Sequence, residues 1–157
     1  MRAPFQILAI PYRLVDGEVQ YGVLHRADHD QWQFIAGGGE DDECPEAAAV
    51  REIWEESGVE NAPVVRLTSM CYIPTNIFKD CGRQYGWPAD LYVIPEYAFA
   101  FACAEELSLS HEHTDCAWLS YQDACAKLKW DSNRTALYEL NCRLAAQLTD
   151  EKSEGAR

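Results

Sequence analysis

Acidic side chains recur at close spacing between Gly37 and Val59, in the segment GGGEDDECPEAAAVREIWEESGV. Glu52, Glu55 and Glu56 follow a helix-forming run of alanines, and residues three and four positions apart are neighbours on a helix. Carboxylates that share a helix face repel one another unless a positive charge lies among them. A hard divalent cation such as Mg²⁺ takes carboxylate, carbonyl and water oxygens, and it often completes its shell with substrate phosphates. The segment therefore predicts either a solvated acidic surface or a site for a divalent cation and a phosphorylated ligand.

A helix that begins at Pro45 and ends before Gly58 is predicted to carry these glutamates. Proline suits the first position of a helix, and glycine suits the position just past its end. The apolar residues that share one face of this helix predict the side that packs on a core. They are Ala47, Val50, Ile53 and Trp54.

Glycines and one arginine surround the glutamates. The glycines at 37–39 predict a turn in which the backbone approaches closely and offers carbonyl or amide groups at the mouth of the site. Arg51 is predicted to offset the charge of Glu43 or of Glu55.

The spacing of these residues resembles the Nudix box. Gly37 is followed by five residues and Glu43, then by seven residues and Arg51-Glu52, Ile53, one residue, Glu55-Glu56, one residue and Gly58-Val59. Every fixed position of the box is matched, so the chain is identified as a member of the Nudix hydrolase family. The resemblance implies an α/β (α+β) fold, the Nudix-type α/β/α sandwich with a mixed β-sheet.

The resemblance also implies roles for individual residues. Glu52, Glu55 and Glu56 would bind Mg²⁺ or Mn²⁺, with a backbone carbonyl from Gly37. Glu43 and Arg51 would order the loop and the helix, and Arg51 is also a candidate catalytic residue. Family members break a nucleoside-diphosphate-linked substrate by attack of water on phosphorus.

The general base is left open between Glu112 and Glu56. Glu112 lies in the segment HEHTDCAW and is a candidate base, a further metal ligand or a solvated loop carboxylate. The neighbouring His111 and His113 are predicted to be exposed loop residues.

The C-terminal part resembles the dihydroneopterin triphosphate pyrophosphatases, also known as dATP pyrophosphohydrolases. The matching residues are Glu112-His113, Trp118-Leu119 and Trp130-Asp131-Ser132-Asn133-Arg134, with Asp131 an insertion. The implied substrate is a nucleoside or pterin triphosphate, cleaved to a monophosphate and pyrophosphate. Arg26 and Arg134 are the candidate substrate-binding arginines. Trp32, Tyr85 and Trp87 are candidates either for stacking on a base or pterin or for core packing.

Two other functions are weighed against this one. Pro74, about fifteen residues past the box, is a mark of the ADP-ribose pyrophosphatases, which cleave a diphosphate-linked sugar. A non-catalytic Nudix domain that binds a nucleotide metabolite or a partner protein is the alternative from another class. Such domains often lose box glutamates, and all are present here, which favours an enzyme.

Length and composition set the broad class. The 157 residues suffice for a single domain, predicted at 1–149, followed by a frayed polar tail at 150–157. A net charge of -13 disfavours polymeric nucleic acid as a partner. The seven cysteines include no CxxC pair, which favours reduced thiols in a cytoplasmic protein. No signal peptide or membrane span is predicted, and a homodimer is left open because many relatives are dimers.

The rest of the chain predicts a mixed-sheet sandwich with helices on its faces. Strands are predicted at 5–13, 19–26, 32–36, 64–73, 97–103 and 114–120. An irregular segment follows at 74–90. Ser120 is predicted to start a short helix, and Asp131 or Ser132 to cap the last one.

Overall fold

A computed structural model describes residues 1–156, so residue 157 of the predicted tail lies outside the described part. The strands are β1 Arg2–Val15, β2 Glu18–Arg26, β3 Gln31–Gln33, β4 Ile35–Glu40, β5 Val65–Pro74, β6 Val93–Ala102 and β7 His113–Leu119. The helices are α1 Pro45–Ser57, α2 Tyr121–Lys127 and α3 Asp131–Gly155. Short 3₁₀ turns at Thr75–Ile77 and Lys79–Tyr85 occupy the segment that was predicted to be irregular.

The strands form one mixed sheet around β1. The order is β3-β2-β1-β6-β5, with β4 paired to β1 and β7 paired to β2. β1 and β6 run parallel, whereas the other pairs are antiparallel. The apolar run in β1 explains its central place, because Ile7, Leu8, Ala9 and Ile10 are all buried and a strand covered on both faces needs such a run.

Helices cover both faces of this sheet. Ile7 and Ala9 belong to the core that contains Ile53 of α1. Leu8 and Ile10 point the other way, as alternate strand residues do, into the core that contains Leu137 of α3. The predicted α/β/α sandwich with a mixed sheet is confirmed.

The face of α1 that packs on the sheet differs from the predicted one. Its buried residues are Ala48, Ala49, Ile53, Glu56 and Ser57. Ala47 is exposed and Trp54 is 53% exposed. The helix is rotated so that small alanines lie against the sheet and its last turn buries a glutamate. Both predicted ends are confirmed, because Pro45 begins α1 and Gly58 adopts a left-handed cap with φ 72°.

The glycines at 37–39 form part of β4 instead of a turn. Gly37 pairs with Ile7 and Gly38 with Gln6 of β1. A Cβ atom at Gly37 would overlap the Glu52 carboxyl group, and one at Gly38 would overlap the Arg2 guanidinium. The predicted close approach of the backbone is therefore present, but the reason is the space that neighbouring side chains occupy.

Other element boundaries also differ from the predictions. The strand predicted at 32–36 is divided between β3 and β4. α3 continues through Gly155, so residues 150–155 of the predicted polar tail are helical in the structure. Trp130 precedes α3 without a side-chain cap, whereas Ser120 accepts a hydrogen bond from the Asp123 N–H as predicted. No helix within residues 1–156 combines the length and apolar character needed to cross a membrane.

Glu139 of α3 attaches that helix to an irregular part of β5. The register of β5 against β6 shifts between Arg66 and Met70. The backbone N–H groups of Thr68 and Ser69, at 2.7 Å each, donate to the Glu139 carboxylate, which is 18% exposed. Burial alone would raise its pKa. A hydrogen bond from the Ser69 hydroxyl, the two backbone N–H groups and the charge of Arg143 outweigh burial and lower the pKa to about 2.

We expect Glu139→Gln to lower the free energy of unfolding by about 1 to 3 kcal/mol at pH 7, because the charged acceptor of two backbone donors is lost. The folded-state pKa lies below the ordinary value of 4.5. This stabilisation is therefore present above pH 4.5 and is lost as the pH falls toward 2. Urea unfolding at pH 7 and pH 3 measures both effects.

The matched control is Glu151→Gln, at an exposed position of the same helix. It should change the free energy of unfolding by less than about 0.5 kcal/mol. A difference between wild type and Glu139→Gln that stayed constant from pH 7 to pH 3 would contradict the proposed role of the charge.

Candidate active site

One cleft of about 800 Å³ holds most of the predicted site residues. It lies where α1, β1, β4 and β6 meet the loop before β7. One part of its lining is charged and consists of Arg26, Arg51, Glu52, Glu55, Glu56 and Glu112, with Gly37 next to them. Another part combines amides, aromatic rings and one carboxyl group, namely Gln6, Gln33, Tyr72, Phe78, Glu96 and Trp130.

Arg51 connects the acidic side chains of α1 with the backbone of β4. Its Nε and Nη2 donate to the two oxygens of Glu43 at 2.9 Å, and Nη2 also donates to the Gly38 carbonyl at 2.8 Å. Its Nη1 donates to Glu52 at 2.9 Å and to Glu55 at 3.3 Å. The predicted partners Glu43 and Glu55 are both present, and Glu52 is added to them. The hydrogen bond from Arg51 lowers the pKa of Glu43.

Glu56 is buried, so the solvated acidic surface that was one of the two predicted possibilities does not describe its carboxyl group. Its residue surface is 4% exposed, and its Oε2 has no hydrogen-bond partner among the described residues. Burial raises the pKa of Glu56 to about 9, and the charges of Glu52 and Glu112 add to this rise. Glu55, by contrast, has a side chain that is 47% exposed.

The prediction of an exposed loop position for His113 is wrong. The residue is 6% exposed and is the first residue of β7, which starts one position earlier than predicted. Its Nε2 lies 3.7 Å from Glu56 Oε2, too far for a hydrogen bond, and both ring nitrogens lack partners among the described residues. Burial lowers the pKa of His113. His111 is exposed, as predicted.

Backbone hydrogen bonds attach the loop that carries Glu112 to the end of α1. The N–H of Ser108 donates to the Ser57 carbonyl at 2.8 Å, and that of Ser110 donates to the Glu56 carbonyl at 3.2 Å. These bonds satisfy carbonyl groups that the end of a helix leaves free. They also hold Glu112, which is exposed, close enough for its charge to act on Glu56.

The predicted substrate-binding residues are divided between the cleft and other places. Arg26 lines the cleft, and Asp28 holds its guanidinium through bonds of 2.8 and 2.7 Å. Trp32 does not line it but lies under the Lys127 ammonium, 4.5 Å from the ring centre. Arg134 donates to the Leu128 carbonyl and is likewise outside the lining.

The two other aromatic candidates lie in the segment between β5 and β6. Trp87 is buried and donates from its indole N–H to the Arg2 carbonyl at 3.0 Å. Tyr85 packs against Trp87, with ring centres 5.4 Å apart. Neither ring lines the cleft.

A comparison of the sequence with models of known protein families identifies the family of the chain. The family model of the NUDIX domain matches residues 14–140. The chain belongs to the Nudix family. The sequence prediction of a Nudix pyrophosphohydrolase is thereby confirmed, since proteins of this family hydrolyse small phosphorylated substrates and generally use divalent metal ions.

Two characterised Nudix relatives are similar in sequence. The dihydroneopterin triphosphate diphosphatase of Haemophilus influenzae is 29% identical over 133 residues, which are 74% of this chain and 75% of that protein. The RNA pyrophosphohydrolase of Roseobacter denitrificans is 43% identical over 64 residues, or 36% of this chain. The matched segment spans only 40% of the Roseobacter protein.

Solved Nudix structures resemble the whole chain. A candidate Nudix hydrolase from Listeria monocytogenes superposes with a TM-score of 0.80 at 44% identity, covering 92% of this chain and 97% of that one. The dihydroneopterin triphosphate pyrophosphohydrolase of E. coli superposes with a TM-score of 0.69 at 25% identity, covering 89% and 97%.

The donor groups of this Nudix cleft fit a divalent cation. Within residues 1–156 no three His, Cys, Asp or Glu side chains converge as a finished metal site, and Arg51 donates hydrogen bonds to both Glu52 and Glu55. The fit comes from Glu56, whose buried oxygen lacks a partner, and from Gly37, whose missing side chain admits the Glu52 carboxyl group. All of these donors are hard oxygens, the type that Mg²⁺ and Mn²⁺ select.

Some cleft residues were not predicted at all. Arg2, Gln6 and Glu96 lie in strands and carry no motif. The available signal was Glu96, a lone carboxyl group in the otherwise apolar strand VIPEYAFAFA.

The pH dependence of stability should report the burial of Glu56. Its folded-state pKa is about 9, against an ordinary value of 4.5, so between these values the folded chain keeps a proton that the unfolded chain releases. In metal-free buffer, we expect this group to lower the free energy of unfolding by up to about 1.4 kcal/mol per pH unit as the pH rises. Saturating Mg²⁺ should remove the decline, because a cation binds the ionised carboxylate and releases the proton.

Urea unfolding from pH 6 to pH 8.5, with chelator or with Mg²⁺, tests this expectation. Glu56→Gln should lack both the decline and the Mg²⁺ effect, whereas Glu60→Gln, at an exposed position after α1, should behave as wild type. Parallel curves for wild type and Glu56→Gln under both conditions would show that Glu56 is not the responsive group.

Proposed function

We propose that this Nudix enzyme hydrolyses a nucleoside or pterin triphosphate to a monophosphate and pyrophosphate, using Mg²⁺ or Mn²⁺. The observation that carries this proposal is the buried Glu56 oxygen without a partner, in a cleft that it shares with Glu52, Glu55 and Glu112. The names of the relatives from Haemophilus influenzae and E. coli, both enzymes of dihydroneopterin triphosphate, support a triphosphate substrate.

In this proposal different cleft residues bind the cation and the phosphate groups of the substrate. Glu52, Glu55 and Glu56, with the Gly37 carbonyl, would hold the cation, which when bound neutralises phosphate charge and favours attack by water. Arg51 positions Glu52 and Glu55 through its bonds to both. Arg26, which lines the cleft, would contact phosphate oxygens.

We propose Glu112 as the group that takes the proton from the attacking water. It is exposed on the cleft, where water reaches it, and its loop is bonded to the end of α1. A general base must lie within hydrogen-bond reach of the proton it removes. Glu56 remains the alternative base. Its buried carboxyl group is better suited to a cation, because ionising it without one is costly.

One observation favours a second candidate function, the hydrolysis of an ADP-ribose-type substrate. Pro74, the residue that resembles a mark of the ADP-ribose pyrophosphatases, ends β5 and lines the cleft. Product analysis separates the candidates. Pyrophosphate release from (d)NTPs or dihydroneopterin triphosphate supports the proposal, AMP with a sugar phosphate from ADP-ribose supports the alternative, and binding without turnover supports a sensor domain.

We also propose that the enzyme acts in the cytoplasm. All seven cysteines are free thiols, which fits a reducing compartment.

Glu55→Gln and Glu56→Gln should each lower kcat by at least about 100-fold, because each removes a charged ligand from the proposed site while conserving the shape of the side chain. Steady-state hydrolysis of a triphosphate with Mg²⁺ measures the loss, and circular dichroism checks that the fold is kept. Glu46→Gln, at the other end of α1 and paired with Arg66, is the matched control and should retain wild-type turnover. Near wild-type turnover in both site variants would reject this site.

Glu112→Gln tests the proposed base separately. We expect kcat to fall by about 100-fold or more, with little change in the Mg²⁺ concentration that gives half-maximal activity. A Mg²⁺ titration of activity distinguishes a base from a ligand, since loss of a ligand would raise the metal requirement instead. If the variant kept kcat and the metal requirement of the wild type, Glu112 would be a solvated loop carboxylate with no role in catalysis.

A further inference from the structure

Glu96 carries a buried carboxyl group on the wall of the cleft. The proposed hydrolysis assigns no role to this group. It lies in β6 between Gln6 of β1 and Cys71 of β5, and it is 6% exposed. Every other residue from Val93 to Ala102 is uncharged. Placing a carboxyl group here is costly unless hydrogen bonds satisfy it.

The surroundings of Glu96 supply hydrogen bonds from neutral side chains but no positive charge. Gln6 donates from Nε2 to Glu96 Oε2 at 2.9 Å. Among the described residues, no arginine, lysine or histidine forms an ion pair with Glu96. A purely structural carboxyl group is normally paired or sealed inside the protein, whereas this one lines an open cleft.

A chain of hydrogen bonds partly offsets the cost of burying the charged, acceptor form of Glu96. Arg2 Nη2 donates to Gln6 Oε1 at 3.2 Å, and the same Gln6 amide donates onward to Glu96. A cation at one end of such a chain polarises the amide and strengthens its N–H as a donor. Burial raises the pKa of Glu96, and the hydrogen bonds from Ser132 and Gln6 oppose that rise.

Aromatic side chains line the cleft with Glu96. Trp130 is 48% exposed, and its indole N–H donates to Gln33 Oε1 at 3.4 Å, which limits its orientation. Phe78 also lines the cleft, with the Arg2 guanidinium 5.1 Å from its ring centre. An exposed indole in the same cleft as a buried acceptor is suited to a flat heterocycle that carries donors on one edge.

A carboxylate accepts two parallel N–H bonds best from a ring that presents a ring N–H next to an amino group. The 2-amino-4-oxopyrimidine ring has this edge, and guanine and pterins share it. Adenine has an amino group beside a ring acceptor, so it offers one donor only. Sites built around such a polar group discriminate strongly, because a ligand without the donor leaves a buried acceptor unpaired.

We propose that Glu96 is a specificity-determining residue that recognises the 2-amino-4-oxopyrimidine edge of the substrate. This inference rests on the proposed function for the triphosphate chain, which extends from the recognised ring to Glu52, Glu55 and Glu56. It narrows the substrate class to guanine nucleotides and pterin triphosphates and disfavours adenine nucleotides, ADP-ribose among them.

Binding of GMP, IMP and AMP to the metal-free wild-type protein, measured by calorimetry, tests the proposal independently of catalysis. IMP lacks only the 2-amino group of GMP. We expect GMP to bind about 10- to 100-fold more tightly than IMP or AMP, the range for hydrogen bonds to a charged acceptor. Equal affinities for the three nucleotides would overturn the proposal without a variant being needed.

Glu96→Gln then assigns the preference to this side chain. The amide can accept one N–H bond but not two, so GMP affinity should fall about 10- to 100-fold and approach that of IMP. Glu60→Gln, exposed and outside the cleft, is the matched control. If Glu96→Gln does not fold, Glu96→Asp, which keeps the charge but draws it back from the cleft, should show the same loss of preference. A folded variant that keeps the wild-type preference for GMP would overturn the assignment.

Hydrolysis assays distinguish a guanine nucleotide from a pterin triphosphate as the substrate. They also distinguish a failure of recognition by Glu96 from a failure of the proposed function. The ratio of kcat/KM for GTP and dihydroneopterin triphosphate identifies which ring the cleft favours, and the ratio for GTP and ITP should collapse in Glu96→Gln. If no triphosphate is hydrolysed but GMP is still preferred over IMP, the proposed function fails and the recognition by Glu96 stands. If GTP, ITP and ATP are hydrolysed alike, the proposed function stands and the recognition fails.

Discussion

The contact of the Arg51 guanidinium with three carboxylates and a strand carbonyl is the constraint on which the cleft depends. Glu43, Glu52 and Glu55 repel one another, and a cation between them turns this repulsion into attraction. Because Arg51 also donates to the Gly38 carbonyl, the same group fixes the distance between α1 and β4. The absence of a side chain at Gly37 is part of this arrangement, since the Glu52 carboxyl group occupies that volume.

Glu56 makes no hydrogen bond with Arg51. Burying its carboxyl group costs free energy, and a bound ligand can offset that cost. Its Oε2 and both ring nitrogens of His113 lack partners among the described residues. Native interiors rarely leave buried polar atoms unpaired, and where they do the reason is often a functional site. The folded chain therefore carries a destabilised carboxyl group that a bound cation would stabilise in its charged form. The burial that raises its pKa is also what would make it a strong ligand.

The sequence was sufficient to predict α1, most of the strands and the layered fold, because each rests on a local pattern. Pro45 and Gly58 mark the ends of α1 by backbone chemistry alone. The rotation of that helix was not predictable in the same way. Ala47 and Trp54 have the right spacing for a core face, but the sheet comes so close that alanines pack there and Trp54 stays outside. The turn predicted from three glycines failed for a related reason, since their small size serves the neighbours Glu52 and Arg2.

The charged part of the cleft and the part around Glu96 differ in what their sequences reveal. Glu52, Glu55 and Glu56 belong to one helix, so their proximity follows from the period of the helix. Gln6 and Glu96 are ninety positions apart, and only the parallel pairing of β1 with β6 brings them together. A parallel pair is set by the order of strands in the whole sheet, which no local pattern encodes. Chemistry on the phosphates can therefore be inferred from a short motif, whereas recognition of the rest of the substrate depends on contacts that exist only after the chain has folded.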